Sequence, residues 1–91
     1  MPVEVHIPAS LRRLTRGRRI LQVEAHDLKE VIERLEELFP GFRDKLLDEE
    51  GKLRRYISIY HNGRDIREEG GLSTALKSGD SISILPALAG G

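Results

Sequence analysis

The chain has 91 residues and a mass of 10.3 kDa, which suits one small domain that buries roughly 64% of its extended surface on folding. Fifteen Lys and Arg residues balance fifteen Asp and Glu residues, and this zero net charge argues against a nucleic acid or an anionic membrane as the partner. The lack of cysteine excludes disulfides, thiolate zinc sites and a cysteine nucleophile, and with no spanning apolar run or secretory signal visible we expect a cytoplasmic domain.

Two strands joined by a long loop are predicted at the start of the chain. Residues 2–7 alternate apolar and polar side chains, which is the period of a half-buried strand, and residues 19–25 are a second candidate. The connection over residues 10–18 is rich in arginine and contains a glycine, so the two strands are expected to form a hairpin with a long loop. The inner faces of the strands would carry Val3, Val5, Ile7, Leu21, Val23 and Ala25.

The period then changes to that of a helix, with apolar residues recurring at spacings of three and four. Asp27 is a candidate N-cap, and Glu30 completes a capping-box pattern three residues later. Pro40 and Gly41 end this helix, and residues 42–47 predict one further helical turn. The stripe expected to face the core consists of Leu28, Val31, Ile32, Leu35, Leu38 and Phe39.

The second half of the chain predicts the remaining strands. Residues 55–61 alternate again, and Asn62-Gly63 is a strong two-residue hairpin turn that leads into a short strand over 64–66. A last strand is predicted over Ser81–Leu85, with Pro86 ending it. One long helix over one side of a small mixed sheet is an α+β domain.

The end of the chain differs in character from this domain, which is assigned residues 1–85. Residues 86–91 are small or apolar and uncharged, so a flexible tail is expected there. The Gly90-Gly91 pair has no β-carbons, which leaves the carboxyl carbon of Gly91 unhindered. These properties suit a carboxylate that threads into the active site of another protein, whereas the simpler alternative is that small residues fray at a terminus.

The order of the elements, the turn LKSGD at 76–80 and the sequence ILPALAGG at 84–91 resemble ubiquitin-like sulfur carriers of the MoaD/ThiS type. The stretch over 53–72 is most similar to the CysO-like branch. The resemblance implies a β-grasp (ubiquitin-like) fold and a chain that is a carrier or substrate protein rather than an enzyme. It also implies that the tail residues Leu88, Ala89 and Gly90 are threaded into partner enzymes.

The resemblance further implies the chemistry at Gly91. A ubiquitin-activating-type enzyme would use ATP and Mg to adenylate the Gly91 carboxylate, and a sulfur donor would convert it to a thiocarboxylate. The carrier itself would need no catalytic residue, bound cofactor or metal. The leading acceptor is a cysteine synthase, and the alternative within the family is the large subunit of molybdopterin synthase, with this chain as the small subunit. Two other classes stay open, a covalent modifier joined through Gly91 to target lysines and a plain binding module.

A docking surface for the activating enzyme is predicted on the sheet face opposite the helix. Alternation places Ile20, Tyr56, Tyr60 and Leu85 on that face, with His6 and Ser83 among them. Exposed large side chains on one sheet face favour a partner surface, although loops that cover them would explain the same pattern.

Two further groups of residues invite a functional interpretation. Five arginines fall within the segment Arg12–Arg19. We interpret them as a solvated loop, the alternative being a docking patch for an acidic partner or weak nucleic-acid contact. His6, His26 and His61 lack the spacing of metal ligands and are expected to be surface histidines.

Overall fold

A computed structural model describes residues 2–86, and within that range the chain forms one five-stranded mixed sheet with a helix packed on one face. The strands are β1 (Pro2–His6), β2 (Ile20–Glu24), β3 (Ile57–His61), β4 (Arg64–Asp65) and β5 (Ser81–Pro86). They lie in the order β2-β1-β5-β3-β4. The pair β1 and β5 is parallel, and the other neighbours are antiparallel. This is the β-grasp arrangement, so the expected α+β fold class is confirmed.

The main helix α1 (Leu28–Leu38) begins at the predicted cap, and α2 (Phe42–Leu46) follows it as the predicted further turn. The Asp27 side chain accepts a hydrogen bond from the Glu30 N–H at 2.8 Å. Glu30 reaches back to the His26 N–H at 2.7 Å, one residue before the cap, so the capping box is displaced by one position. Short 3-10 turns occur at Ala9–Leu11, Ile66–Glu68 and Gly71–Ser73.

The core lies between α1 and the inner face of the sheet. Val3, Val5 and Leu35 are completely buried, as the alternating and helical patterns predict. The prediction for Leu38 is wrong, because this side chain is 57% exposed. Leu38 lies about 60° around the helix from Leu35, at the border of the apolar stripe and on the last residue of α1.

The ends of two strands differ from the sequence-based boundaries. β3 begins at Ile57 rather than at Arg55, because the Ile57 N–H donates to the Arg54 carbonyl at 3.0 Å and closes a turn there. β5 includes Pro86, which lies opposite Ile57 at the end of the ladder, a position where proline is tolerated. The Asn62-Gly63 turn is confirmed, since both residues have the positive φ angles that a type I′ turn requires.

Residues 87–91 lie outside the described part of the chain, so the predicted flexibility of the tail and the roles of Leu88, Ala89, Gly90 and Gly91 remain predictions. Among residues 2–86, no helix combines the length and apolar character needed to cross a membrane.

Candidate functional site

The segment that leads toward Gly91 leaves the fold from the middle of the sheet. β5 pairs with β1 on one side and β3 on the other. At its end, Leu85 lies opposite Ser58 and Pro86 lies opposite Ile57. The ladder to β1 covers Ser81 to Ser83, and the ladder to β3 continues to Pro86, so pairing with β3 positions the root of the tail relative to the sheet.

The arginine-rich loop lies at the same end of the sheet as this root, because β1 runs parallel to β5 and the loop follows β1. The loop is ordered by its own hydrogen bonds: Arg12 Nε donates to the Ile7 carbonyl at 3.1 Å, and Thr15 Oγ1 donates to the Arg18 carbonyl at 2.8 Å. Thr15 is completely buried, and no sequence pattern marks it. The guanidinium groups that the loop exposes belong to Arg13, Arg16, Arg18 and Arg19.

The open face of the sheet carries most of the predicted docking residues. The strand register aligns Ile20, His6, Ser83 and Tyr60 in one row across four of the described strands. Ile20 is 49% exposed and Leu85 is 48% exposed, while Tyr60 is half-buried. The structure therefore brings Ile20, Tyr60 and Leu85 onto one accessible face beside the tail root.

Tyr56 does not lie on a strand of this face, which corrects the prediction from alternation. It is 53% exposed in the turn that precedes β3. The turn breaks the period of two that would have placed Tyr56 in line with Tyr60. Any role of Tyr56 in docking would therefore come from the loop at this end of the sheet.

His61 is the histidine that differs most from the surface expectation. Its side chain is only 12% exposed, with Nε2 at 2.7 Å from Asp80 Oδ2 and Nδ1 at 3.0 Å from Glu69 Oε1. Asn62 Nδ2 also donates to Asp80 Oδ1 at 3.1 Å. This cluster fastens the β3–β4 hairpin to the turn before β5. By contrast, the side chain of His26 is 97% exposed, as expected.

The pKa values in the cluster shift in the directions that charged hydrogen bonds produce. Partial burial lowers the pKa of His61, but the hydrogen bonds and charges of Asp80 and Glu69 outweigh it and raise that pKa above 6.5. The hydrogen bond from His61, the Lys77 N–H and the Asn62 amide together lower the pKa of Asp80 to about 2. The cluster is therefore an ion pair in mildly acidic solution, and it lies near the start of β5, away from the tail root.

Comparisons with known proteins agree on one family. The model of the ThiS family matches residues 5–91. The "Sulfur carrier protein CysO" of Mycobacterium tuberculosis is 44% identical over 93 residues, covering 100% of each chain. A chain of the Amycolatopsis orientalis BexX/CysO complex has a TM-score of 0.92 and 40% identity, and the match covers 98% of this chain and 99% of that one.

A third relative carries a different description. The "Small archaeal modifier protein 3" of Haloferax volcanii is 34% identical over 62 residues, which cover 68% of this chain and 66% of that protein. The family model extends through the Gly-Gly pair, and the TM-score of 0.92 shows that the Amycolatopsis chain has the same fold. The chain belongs to the ThiS family.

Proposed function

We propose that this protein is a sulfur carrier that transports sulfur as a thiocarboxylate on Gly91. The observation that carries the proposal is the match, along the whole of both chains, to a protein named as a sulfur carrier. The pairing of the tail root with β3 at the end of β5 supports it, because a carrier must present its terminus in a defined direction while the sheet docks.

The proposed chemistry needs an activation step because a carboxylate is a poor electrophile. The carboxylate of Gly91 attacks the α-phosphate of ATP and releases pyrophosphate, and a sulfur nucleophile then displaces AMP to leave the thiocarboxylate. The nucleotide and its magnesium belong to the adenylating enzyme, and the chain supplies no catalytic side chain. Since the chain contains no cysteine, the sulfur must come from a separate donor.

The partners proposed for this cycle are the adenylating enzyme and a sulfur acceptor. A structural relative was solved in a complex with BexX, which supports a role that depends on partner proteins. We assign the first docking contact to the open sheet face around Tyr60 and Leu85, with Leu88, Ala89 and Gly90 entering the partner's active site. The acceptor proposed first is a cysteine synthase, because two relatives that match nearly end to end at 40% identity or more are CysO proteins.

A covalent protein modifier is the second candidate function. The observation that favours it is the relative named as a small archaeal modifier protein, which shares 34% identity over 62 residues. Both functions begin with the same adenylate on Gly91. They differ in the nucleophile that attacks it, which is sulfur for a carrier and a lysine amine for a modifier.

Reconstitution tests the carrier proposal. The chain is incubated with ATP, magnesium, an adenylating enzyme of this family and a sulfide source, and a variant with one alanine added after Gly91 is the matched control. The proposal predicts pyrophosphate release and a thiocarboxylate for the native terminus and neither for the extended variant. Equal product from both would contradict it. Transfer of the sulfur to a cysteine synthase or to a molybdopterin synthase large subunit then identifies the acceptor.

A further inference from the structure

A groove runs between the outer edge of β2 and the end of α1. Ile20 and Gln22 form one wall, and Leu38 and Phe39 form the other. The groove has a volume of about 450 Å³. Ile20 and Leu38 are 49% and 57% exposed, and these two of the four exposed large hydrophobic residues within residues 2–86 border the groove, Leu38 from the helix and Ile20 from the edge of β2. We call this feature the β2 groove.

The wall formed by β2 is an unpaired sheet edge in the described part of the chain, because β2 has β1 as its sole neighbour there. The Ile7 N–H donates to the Arg19 carbonyl at 2.7 Å, so Arg19 and every second residue after it direct their backbone groups toward β1. By the alternation of an antiparallel ladder, Ile20 and Gln22 direct their N–H and carbonyl groups away from β1. Those groups can pair with an added strand.

The end of the groove nearest the arginine-rich loop is positively charged. Arg16 and Arg18 line it, and no acidic side chain of residues 2–86 is among the lining. Buried Thr15 orders the backbone of this loop, with its hydroxyl 2.8 Å from the Arg18 carbonyl and 3.2 Å from the Arg12 carbonyl, and the side chains of Arg16 and Arg18 are exposed. The groove therefore combines an apolar wall, a backbone edge and two exposed guanidinium groups, which complement an apolar strand followed by carboxylates.

We propose that the β2 groove binds an extended acidic segment of a partner protein, which adds to the sheet as a strand beside β2. Its side chains on the helix side of the sheet pack on Leu38 and Phe39, those on the open face pack on Ile20, and its carboxylates pair with Arg16 and Arg18. This contact requires no modification of Gly91. The groove lies at β2, which is separated by β1 from β5, the strand that leads to the tail. A partner in the groove therefore leaves the tail accessible, and both can be occupied together.

Titration with a synthetic peptide tests the proposal. The probe is a blocked peptide of alternating valine and threonine that ends in three aspartates, with a second peptide that carries the aspartates at its N-terminal end to report either strand direction. Binding to the full-length ¹⁵N-labelled chain should shift the amides of Ile20 and Gln22 and slow their hydrogen exchange, as a new ladder requires. The same peptides with asparagine in place of aspartate should bind less tightly.

Matched variants separate the groove from general charge effects. Arg16→Gln with Arg18→Gln should weaken the aspartate peptide about fivefold, and Leu38→Gln about tenfold. Arg55→Gln with Arg64→Gln removes the same charge from exposed positions toward the opposite edge of the sheet and should change affinity less than twofold. Equal weakening by both pairs of variants, peptide shifts confined to Tyr60, Ser83 and Leu85, or a dimer that pairs its β2 edges and excludes the peptide would each overturn the proposal.

Discussion

Replacement of His61 by glutamine should destabilise the fold in a pH-dependent way. The His61 ring makes two charge-assisted hydrogen bonds, at 2.7 Å to Asp80 and 3.0 Å to Glu69, and the three side chains are 12%, 15% and 22% exposed. Such bonds contribute about 1.5–3 kcal/mol each when buried, and exposed pairs about 0.2–1 kcal/mol. Because this cluster is covered but close to solvent, and glutamine keeps one bond, we expect a loss of about 1–2 kcal/mol near pH 5.5.

The direction of the pH dependence follows from the raised pKa of His61. A group whose pKa is higher in the folded state stabilises the fold fully below its unfolded value of 6.5, and this contribution disappears as the pH rises through the folded pKa. The stability difference between wild type and His61→Gln should therefore shrink by about 1 kcal/mol between pH 5.5 and pH 9.

Urea unfolding followed by circular dichroism at both pH values measures this effect. Near pH 5.5 the variant should also melt about 4–16 °C lower than the wild type, given the usual relation between free energy and Tm for a domain of this size. The matched control is His26→Gln, since the side chain of His26 is 97% exposed and its loss should cost little. A cost for His61→Gln that does not change with pH, or an equal cost for His26→Gln, would refute the reasoning.

Three further predictions follow from the described contacts. Leu35→Ala removes a completely buried side chain and should lower the free energy of unfolding in urea by about 2–5 kcal/mol. Leu38→Ala, at a 57% exposed position, should lower it by under about 1 kcal/mol, and similar losses for the two variants would contradict the assigned core. Asp80→Asn should reduce the loss of folding stability in acid. The Asp80 carboxylate, with a pKa of about 2, stabilises the fold above pH 3.8, and this contribution is lost as the pH falls toward 2. An unchanged loss of stability in acid would argue against the His61 cluster. Tyr60→Glu and Leu85→Glu should weaken binding to the adenylating enzyme in calorimetry without unfolding the chain. Ala75→Glu, at an exposed position away from the open sheet face, should leave that binding unchanged. Unchanged binding by the Tyr60 and Leu85 variants would contradict docking through the open sheet face.

The elements that sequence periodicity predicts well are those whose pattern is set by a single contact surface. Val3 and Val5 alternate because one side of β1 faces the core, and Leu28 to Leu35 repeat at helical spacing because α1 covers that core. The Asn62-Gly63 turn can be predicted from these two residues alone, because few residue pairs adopt two consecutive positive φ angles. The sheet order and the docking row required the family resemblance or the strand register as well.

The features that sequence reasoning missed depend on contacts between distant segments. His61 and Asp80 are 19 positions apart, and only the hairpin and the turn before β5 bring them together. Tyr56 follows the strand pattern in the sequence, yet the hydrogen bond between Ile57 and Arg54 closes a turn and removes it from the ladder. The β2 groove exists because the end of α1 lies beside the unpaired edge of β2, which no spacing of residues within either element reveals.

Sulfur transport on Gly91 can be tested by the intact mass of the protein isolated from its native cell under mild, non-reducing conditions, with Gly91 left untagged. A sulfur carrier should show a fraction heavier by one oxygen-to-sulfur exchange, located in the C-terminal peptide and absent from a Gly91 deletion variant. A terminus that remains an unmodified carboxylate while Gly91–lysine conjugates accumulate would contradict the carrier function and favour a covalent modifier. A terminus that carries neither change in cells actively making cysteine and molybdopterin would contradict both.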